Sequence, residues 1–230
     1  MEAFRQWLAQ LQWNNLIVMA VSALAGLLCI TFHEMCHALA AYAMGDPTAR
    51  RAGRLTLNPL KHVDLVGLAM LAVFKVGWWK AVPIDPRRFR NPKLGMALSA
   101  LAGPLSNVLL SAIAAALYTM SMFWAAYLGI GALEWLGTFF YYVFYISAGL
   151  AVFNLLPIPP LDGSKVLFAV LPPKWYWLLM RYERYGMAVL MVLLMTGALD
   201  VPLDFLREGL IGLLAPISQW TFELLMALVS

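Results

Sequence analysis

The stretch Thr31-Phe32-His33-Glu34-Met35-Cys36-His37 places three ionisable side chains inside a long apolar run. A charged residue at the bilayer centre costs about 2.5–3.5 kcal/mol on insertion scales, so by default it marks function. His33 and His37 stand one helical turn apart on one face, and both imidazoles can reach a single ion. Glu34 projects from the neighbouring side, where it could take a proton from water activated by that ion. H-E-x-x-H on a helix supports metal-assisted hydrolysis for this reason. The plain alternative is two buried histidines satisfied by helix–helix hydrogen bonds. It is disfavoured because the pattern falls mid-span in a chain with only three His.

Two imidazoles leave zinc under-coordinated, since catalytic sites use three protein ligands plus water. The third should be a carboxylate or His at an interior apolar position. Asp162 stands out in Asn154-Leu-Leu-Pro157-Ile-Pro159-Pro160-Leu-Asp162-Gly163. The prolines stop a helix and free its backbone, which a membrane tolerates only inside protein or against a cavity. Gly163 would allow a tight turn aiming the carboxylate inward. Alone, Asp-Gly after prolines is an ordinary turn. Beside His33 and His37 it becomes the candidate third ligand.

The elements that must hold these residues follow from composition. The 230 residues are 63% hydrophobic and 12% charged, against about 45–50% and about 25% in soluble chains. A mean hydropathy of +0.77 agrees. Disordered, coiled-coil and ordinary cytosolic classes are excluded, as is one anchor on a polar head, leaving an all-α polytopic membrane protein. The net charge of +4 fits basic loops and implies no nucleic acid. Spans of about 20 apolar residues are expected near 14–44, 94–124 and 133–156, the second broken at Ala102-Gly103-Pro104. Two further apolar segments, 186–199 and 209–229, close the chain. Residues 63–74 are too short to span and read as re-entrant, and Arg54 to Pro59 reads as a short extended piece. One integral membrane domain covers 1–230, with a core at 14–165 and accessory spans at 186–229. No cleavable signal peptide is expected, and Cys29 and Cys36 are too far apart along a helix for a disulfide.

Loops 45–93 and 161–184 are basic, while turn 125–132 carries no charged residue and 200–208 holds three acids and one Arg. The positive-inside rule puts the basic loops in the cytoplasm. His37 would then lie roughly 10–16 Å inside that boundary.

H-E-x-x-H in one span and N-x-x-P-x-P-x-x-D-G in a later one together resemble the site-2 protease family of intramembrane zinc metalloproteases. The similarity extends through Gly53-Arg54-Leu55-Thr56-Leu57-Asn58-Pro59-Leu60-Lys61-His62 and Ala102-Gly103-Pro104-Leu105-Ser106-Asn107, covering most of residues 30–165. The resemblance implies one Zn2+ on His33, His37 and Asp162, with Glu34 as catalytic acid/base. It implies Asn154 near the scissile carbonyl and a three-span core whose middle member carries Gly-Pro-Leu-Ser-Asn. No insertion is large enough for a PDZ domain, so this is a compact form. Ser164-Lys165 follows Asp-Gly where many relatives carry Gly-Arg.

Lesser features complete the expectations. Leu55, Thr56 and Leu57 favour extension and could pair with an unwound substrate as an edge strand. His62 is either a substrate-contacting group near the metal or a solvated interfacial His. Arg87, Arg88 and Arg90 suit anionic lipid headgroups, and Trp78-Trp79 and Trp175-Tyr176-Trp177 suit the aromatic belt. Asn107 would bind a neighbouring helix or bridge to the active site.

The function expected is hydrolysis of peptide bonds within or near transmembrane segments, in a prokaryotic plasma membrane with the site toward the cytoplasm. Two alternatives are a metal or proton transporter using the buried His and Asp, and a silent homologue that binds membrane proteins. Glu34 between the histidines argues against transport, and the intact four-residue set argues against the silent form. The sequence says nothing of oligomeric state.

Overall fold

A computed structural model of the chain describes residues 13–64, 67 and 79–230. Seven α-helices lie among them: α1 (Trp13–Ala43), α2 (Thr48–Arg51), α3 (Pro92–Leu128), α4 (Gly131–Leu155), α5 (Asp162–Val170), α6 (Pro173–Met195) and α7 (Asp200–Val229). The described residues contain no β-strand. Four helices, α1, α3, α4 and α7, are long and apolar enough to cross a membrane. Their outer faces carry bare leucines such as Leu24, Leu109 and Leu213. Exposed apolar surface on this scale marks lipid contact. The protein is an all-α integral membrane protein.

Lipid tails are as apolar as leucine, so the helices hold together through close packing and polar contacts. Small side chains allow the approach. Ala25 and Cys29 of α1, Ala114 of α3 and Val143 of α4 form one buried cluster. Hydroxyls reinforce it: Ser111 Oγ donates to the Phe144 carbonyl at 3.0 Å and Ser147 Oγ reaches Cys29 Sγ at 3.1 Å. Both cysteines are free, as their spacing implied.

The start of α3 is specified locally. Asn91 caps it by accepting from the Leu94 N–H, and Pro92 sits at the first helical position, where its missing N–H costs nothing. Gly129, at φ +67°, takes the left-handed position after its end and turns the chain into α4.

Three expectations change. Helix α3 runs unbroken through Gly103-Pro104. A membrane helix absorbs a proline when neighbours support it; the cost is an Ala100 carbonyl without its usual N–H donor. Residues 55–57 form bends instead of an extended piece, because Arg54 and His62 fold inward beneath them. Both are buried: Arg54 donates to the Lys61 and Lys80 carbonyls and His62 Nε2 donates to the Thr56 carbonyl. The re-entrant reading of 63–74 falls almost wholly outside the described residues.

The third change concerns the C-terminal segments. Helix α7 runs parallel to α3: Ser218 reaches the Ala115 carbonyl, Phe222 stacks edge-on with Phe123, and Val229 lies near Tyr127. Its start therefore lies at the other end, where Leu199 and Leu203 pack with Leu161 and Phe153. Residues 200–208, the start of α7, thus lie on the Asp162 side, and the apolar Tyr185–Met195 stretch of α6 is shorter than the four candidate spans. Acids at 200–208 suggested the opposite face. Topology follows Lys and Arg, and Asp and Glu contribute little.

Candidate metal centre

His33 and His37 project from α1 toward the middle of α3. Gly103 makes room for them. A Cβ at that position would lie 2.4 Å from His37 Nε2 and 2.7 Å from His33 Cε1. Asp162 opens α5 just after the proline turn that ends α4. Gly163 matters through space and not through an unusual turn. Its Cβ would fall 2.1 Å from the Leu155 carbonyl oxygen, so only glycine lets α5 press onto the end of α4.

These elements bring three donor atoms together. His33 Nε2 and His37 Nε2 are 2.9 Å apart, and Asp162 Oδ2 lies 3.2 Å from the first and 3.0 Å from the second. All three residues are buried. Tetrahedral ligands at 2.0–2.1 Å from zinc are about 3.3 Å apart, so the spacing suits that ion.

The far sides of the rings bear this out. His37 Nδ1 donates to the Ser99 carbonyl at 2.7 Å. A carbonyl only accepts, so the proton is on Nδ1 and a neutral His37 presents a bare lone pair at Nε2. His33 Nδ1 lies 3.2 Å from the side-chain amide of fully buried Asn107. As placed, Asn107 Nδ2 faces Nδ1 and its Oδ1 has no partner; the flipped amide gives Nδ1–H its acceptor and His33 too a lone pair at Nε2. Two lone pairs and a carboxylate oxygen converging at 3 Å call for a cation. Burial disfavours the Asp162 carboxylate, and Lys165 Nζ, 3.5 Å from Oδ1, favours it. It is an anionic donor.

Glu34 is half-buried beside the triad, and its Oε2 accepts the Val82 N–H at 3.0 Å. Together with His33, His37, Ser99, Asn154 and Asp162 it lines a cavity of about 150 Å³, large enough for several waters. Asn154 Nδ2 gives one hydrogen to the Leu150 carbonyl at 3.0 Å and retains a second.

The backbone bordering this cavity is the irregular segment 79–85, whose Ala81, Val82 and Ile84 form part of the wall. Its ends are pinned by buried polar groups. At one end, the Lys80 N–H donates to the His62 carbonyl at 3.0 Å, and the Lys80 carbonyl accepts from Arg54. At the other, Asp46, fully buried, accepts the Asp85 N–H at 2.8 Å and the Thr48 N–H at 3.0 Å. The Asp85 carboxyl, hydrogen-bonded by Arg87, sits below its ordinary pKa.

His33, Glu34, His37, Asn154 and Asp162 therefore meet in one place. Leu55, Thr56, Leu57 and His62 do not line that cavity. His62 is only 1% exposed and fastens the loop above it. Sequence reasoning missed Val82 and Ser99, which act through backbone atoms that any residue type supplies.

A family model described as Peptidase family M50 matches residues 125–197. A protein of Bacillus subtilis (strain 168), named "Putative zinc metalloprotease YwhC", is 37% identical over 166 residues, 72% of this chain and 76% of that protein. The chain belongs to peptidase family M50. This is the site-2 protease family that the paired motifs resemble. Other M50 relatives are named "Putative zinc metalloprotease Rip2": one from Mycolicibacterium smegmatis is 32% identical over 76% of this chain and 66% of its own length. That from Mycobacterium tuberculosis H37Rv is 28% identical over 95% and 80%. No solved structure matches significantly. The M50 family match includes Asn154 and Asp162 and continues through α6.

Proposed function

We propose that the chain is an intramembrane zinc peptidase that hydrolyses peptide bonds within or near the membrane-spanning segments of other membrane proteins. The observation that carries this reading is the convergence of Asp162 on His33 and His37, which with Glu34 lie on a span-forming helix. His37 lies six residues before the end of α1, about 9 Å along the axis, so the bond cut is near one membrane face.

His33, His37 and Asp162 hold the ion. Zinc, when bound, polarises the scissile carbonyl and brings the pKa of a water molecule near neutral. Glu34 takes the proton from that water and passes it to the leaving amine. The Val82 N–H keeps the Glu34 carboxylate turned toward the cavity. The free N–H of Asn154 is available to the oxyanion that develops on the substrate. No covalent acyl-enzyme is involved.

A transmembrane helix has its backbone groups paired and must unwind before it is cut. The 79–85 segment, not 54–58, is the surface that supports this step, because it borders the Glu34 cavity and is tied at both ends. A peptide lying along it would be bound through main-chain hydrogen bonds. Arg87, Arg88 and Arg90 suit anionic lipid headgroups, which supports a site toward the cytoplasm.

Purified protein reconstituted with a single-span peptide tests the proposal. Cleavage should require zinc, stop with a chelator and return on adding zinc. A zinc-loaded protein that leaves a panel of such peptides intact would refute it.

A further inference from the structure

The metal cavity has a neighbour. His33, Glu34, Asn154 and Pro160 also line a second cavity of about 280 Å³. The first contains Ser99, Asp162 and Lys165, while the remainder of the second is apolar. Ile30 of α1 and Leu150 and Phe153 of α4 form its core side, with Trp79 at the rim. The opposite wall comes from α6, through Met187, Met191 and Leu194.

Helix α6 is set firmly in that position. Gly186 lies against the proline turn, where a Cβ would meet the Pro159 carbonyl oxygen at 2.4 Å. Leu190, 4% exposed, packs with Leu161 and Leu199. The three-span core alone leaves this chamber open, and α6 closes it.

Successive side chains of an extended peptide point in opposite directions. A peptide bond held at Glu34 would therefore turn one flanking side chain toward the apolar chamber. A cavity of about 150 Å³ admits a benzene ring, so this one accommodates a leucine or phenylalanine side chain. Methionines in its wall adapt to either shape. We propose that α6 completes a side-chain pocket selecting a large apolar residue beside the scissile bond, with Met191 setting its depth. This rests on the peptidase reading above and adds the substrate preference to it.

The test uses the full chain in detergent with zinc and transmembrane peptides that differ at one residue flanking the cut. Wild type should prefer Leu or Phe over Ala by at least about tenfold in kcat/KM. Met191→Trp fills the chamber and should erase that preference while zinc content stays at one per chain. An equal loss on every peptide would assign Met191 to packing or to a lipid tail and overturn the pocket. A second arm uses Glu34→Gln protein and uncleaved peptides carrying photoreactive leucine at successive positions. Crosslinks at one position should map to Met187, Met191 or Trp79; crosslinks found only elsewhere would also overturn the pocket. Crosslinks on α6 without wild-type cleavage would refute the peptidase reading and leave the pocket standing.

Discussion

The triad and the rim around it are built by opposite means. At the triad, helices meet through missing side chains: Gly103 leaves space for two imidazoles and Gly163 lets α5 press onto α4. At the rim, irregular backbone is held by buried side chains that reach across loops, chiefly Asp46, Arg54 and His62. The first arrangement tolerates almost no added volume. The second tolerates volume but not the loss of a hydrogen-bonding group. Metal affinity and substrate handling should therefore respond to different substitutions.

The largest effect is expected at Gly103. Gly103→Val drives a side chain into His37 and His33, and overpacking alone costs about 1–3 kcal/mol. Zinc retention against a competing chelator should fall beyond the about 10–100-fold attributed to one orienting hydrogen bond. A variant that keeps zinc would show that α3 does not brace the ligands.

Asn107→Leu comes next. It keeps the volume but removes the amide partner of His33, so zinc affinity should drop about 10–100-fold while α3 stays packed. Cobalt substitution reads the same change as an altered ligand-field spectrum. An unchanged spectrum and affinity would detach Asn107 from the metal.

Asp46→Ala probes the rim. It leaves the Asp85 and Thr48 N–H groups without their acceptor, at about 1–3 kcal/mol for a buried unsatisfied group. Turnover should fall severalfold with zinc content intact. Zinc loss in this variant would erase the distinction between the two regions.

The smallest effect is expected at Leu57, which is 58% exposed on the bent loop. Leu57→Ala should stay within about 0.5 kcal/mol in stability and within about twofold in kcat/KM. A larger drop would return the substrate platform to 54–58.

Legibility in the sequence followed the same division. His33, Glu34, His37 and Asp162 stood out because ionisable groups are expensive among apolar neighbours, and the structure brings all four together. Gly103 was visible as a small residue beside a proline, but nothing in Ala-Gly-Pro says which side chains lie opposite. The Glu34–Val82 contact spans 48 residues and uses a backbone N–H, so no residue type announces it. The loop at 54–58 looked extended from its β-formers, but propensity lost to the burial of Arg54 and His62. Residues 186–199 read as a closing apolar segment, but the apolar part of α6 is only Tyr185–Met195 and acids do not set its topology.

The central claim is that Glu34 moves the proton for hydrolysis beside a metal it does not bind. Glu34→Gln and wild-type protein, purified in parallel, should each hold one zinc per chain, and only wild type should cleave a transmembrane peptide. Equal cleavage by the Glu34→Gln protein at equal zinc content would contradict the account.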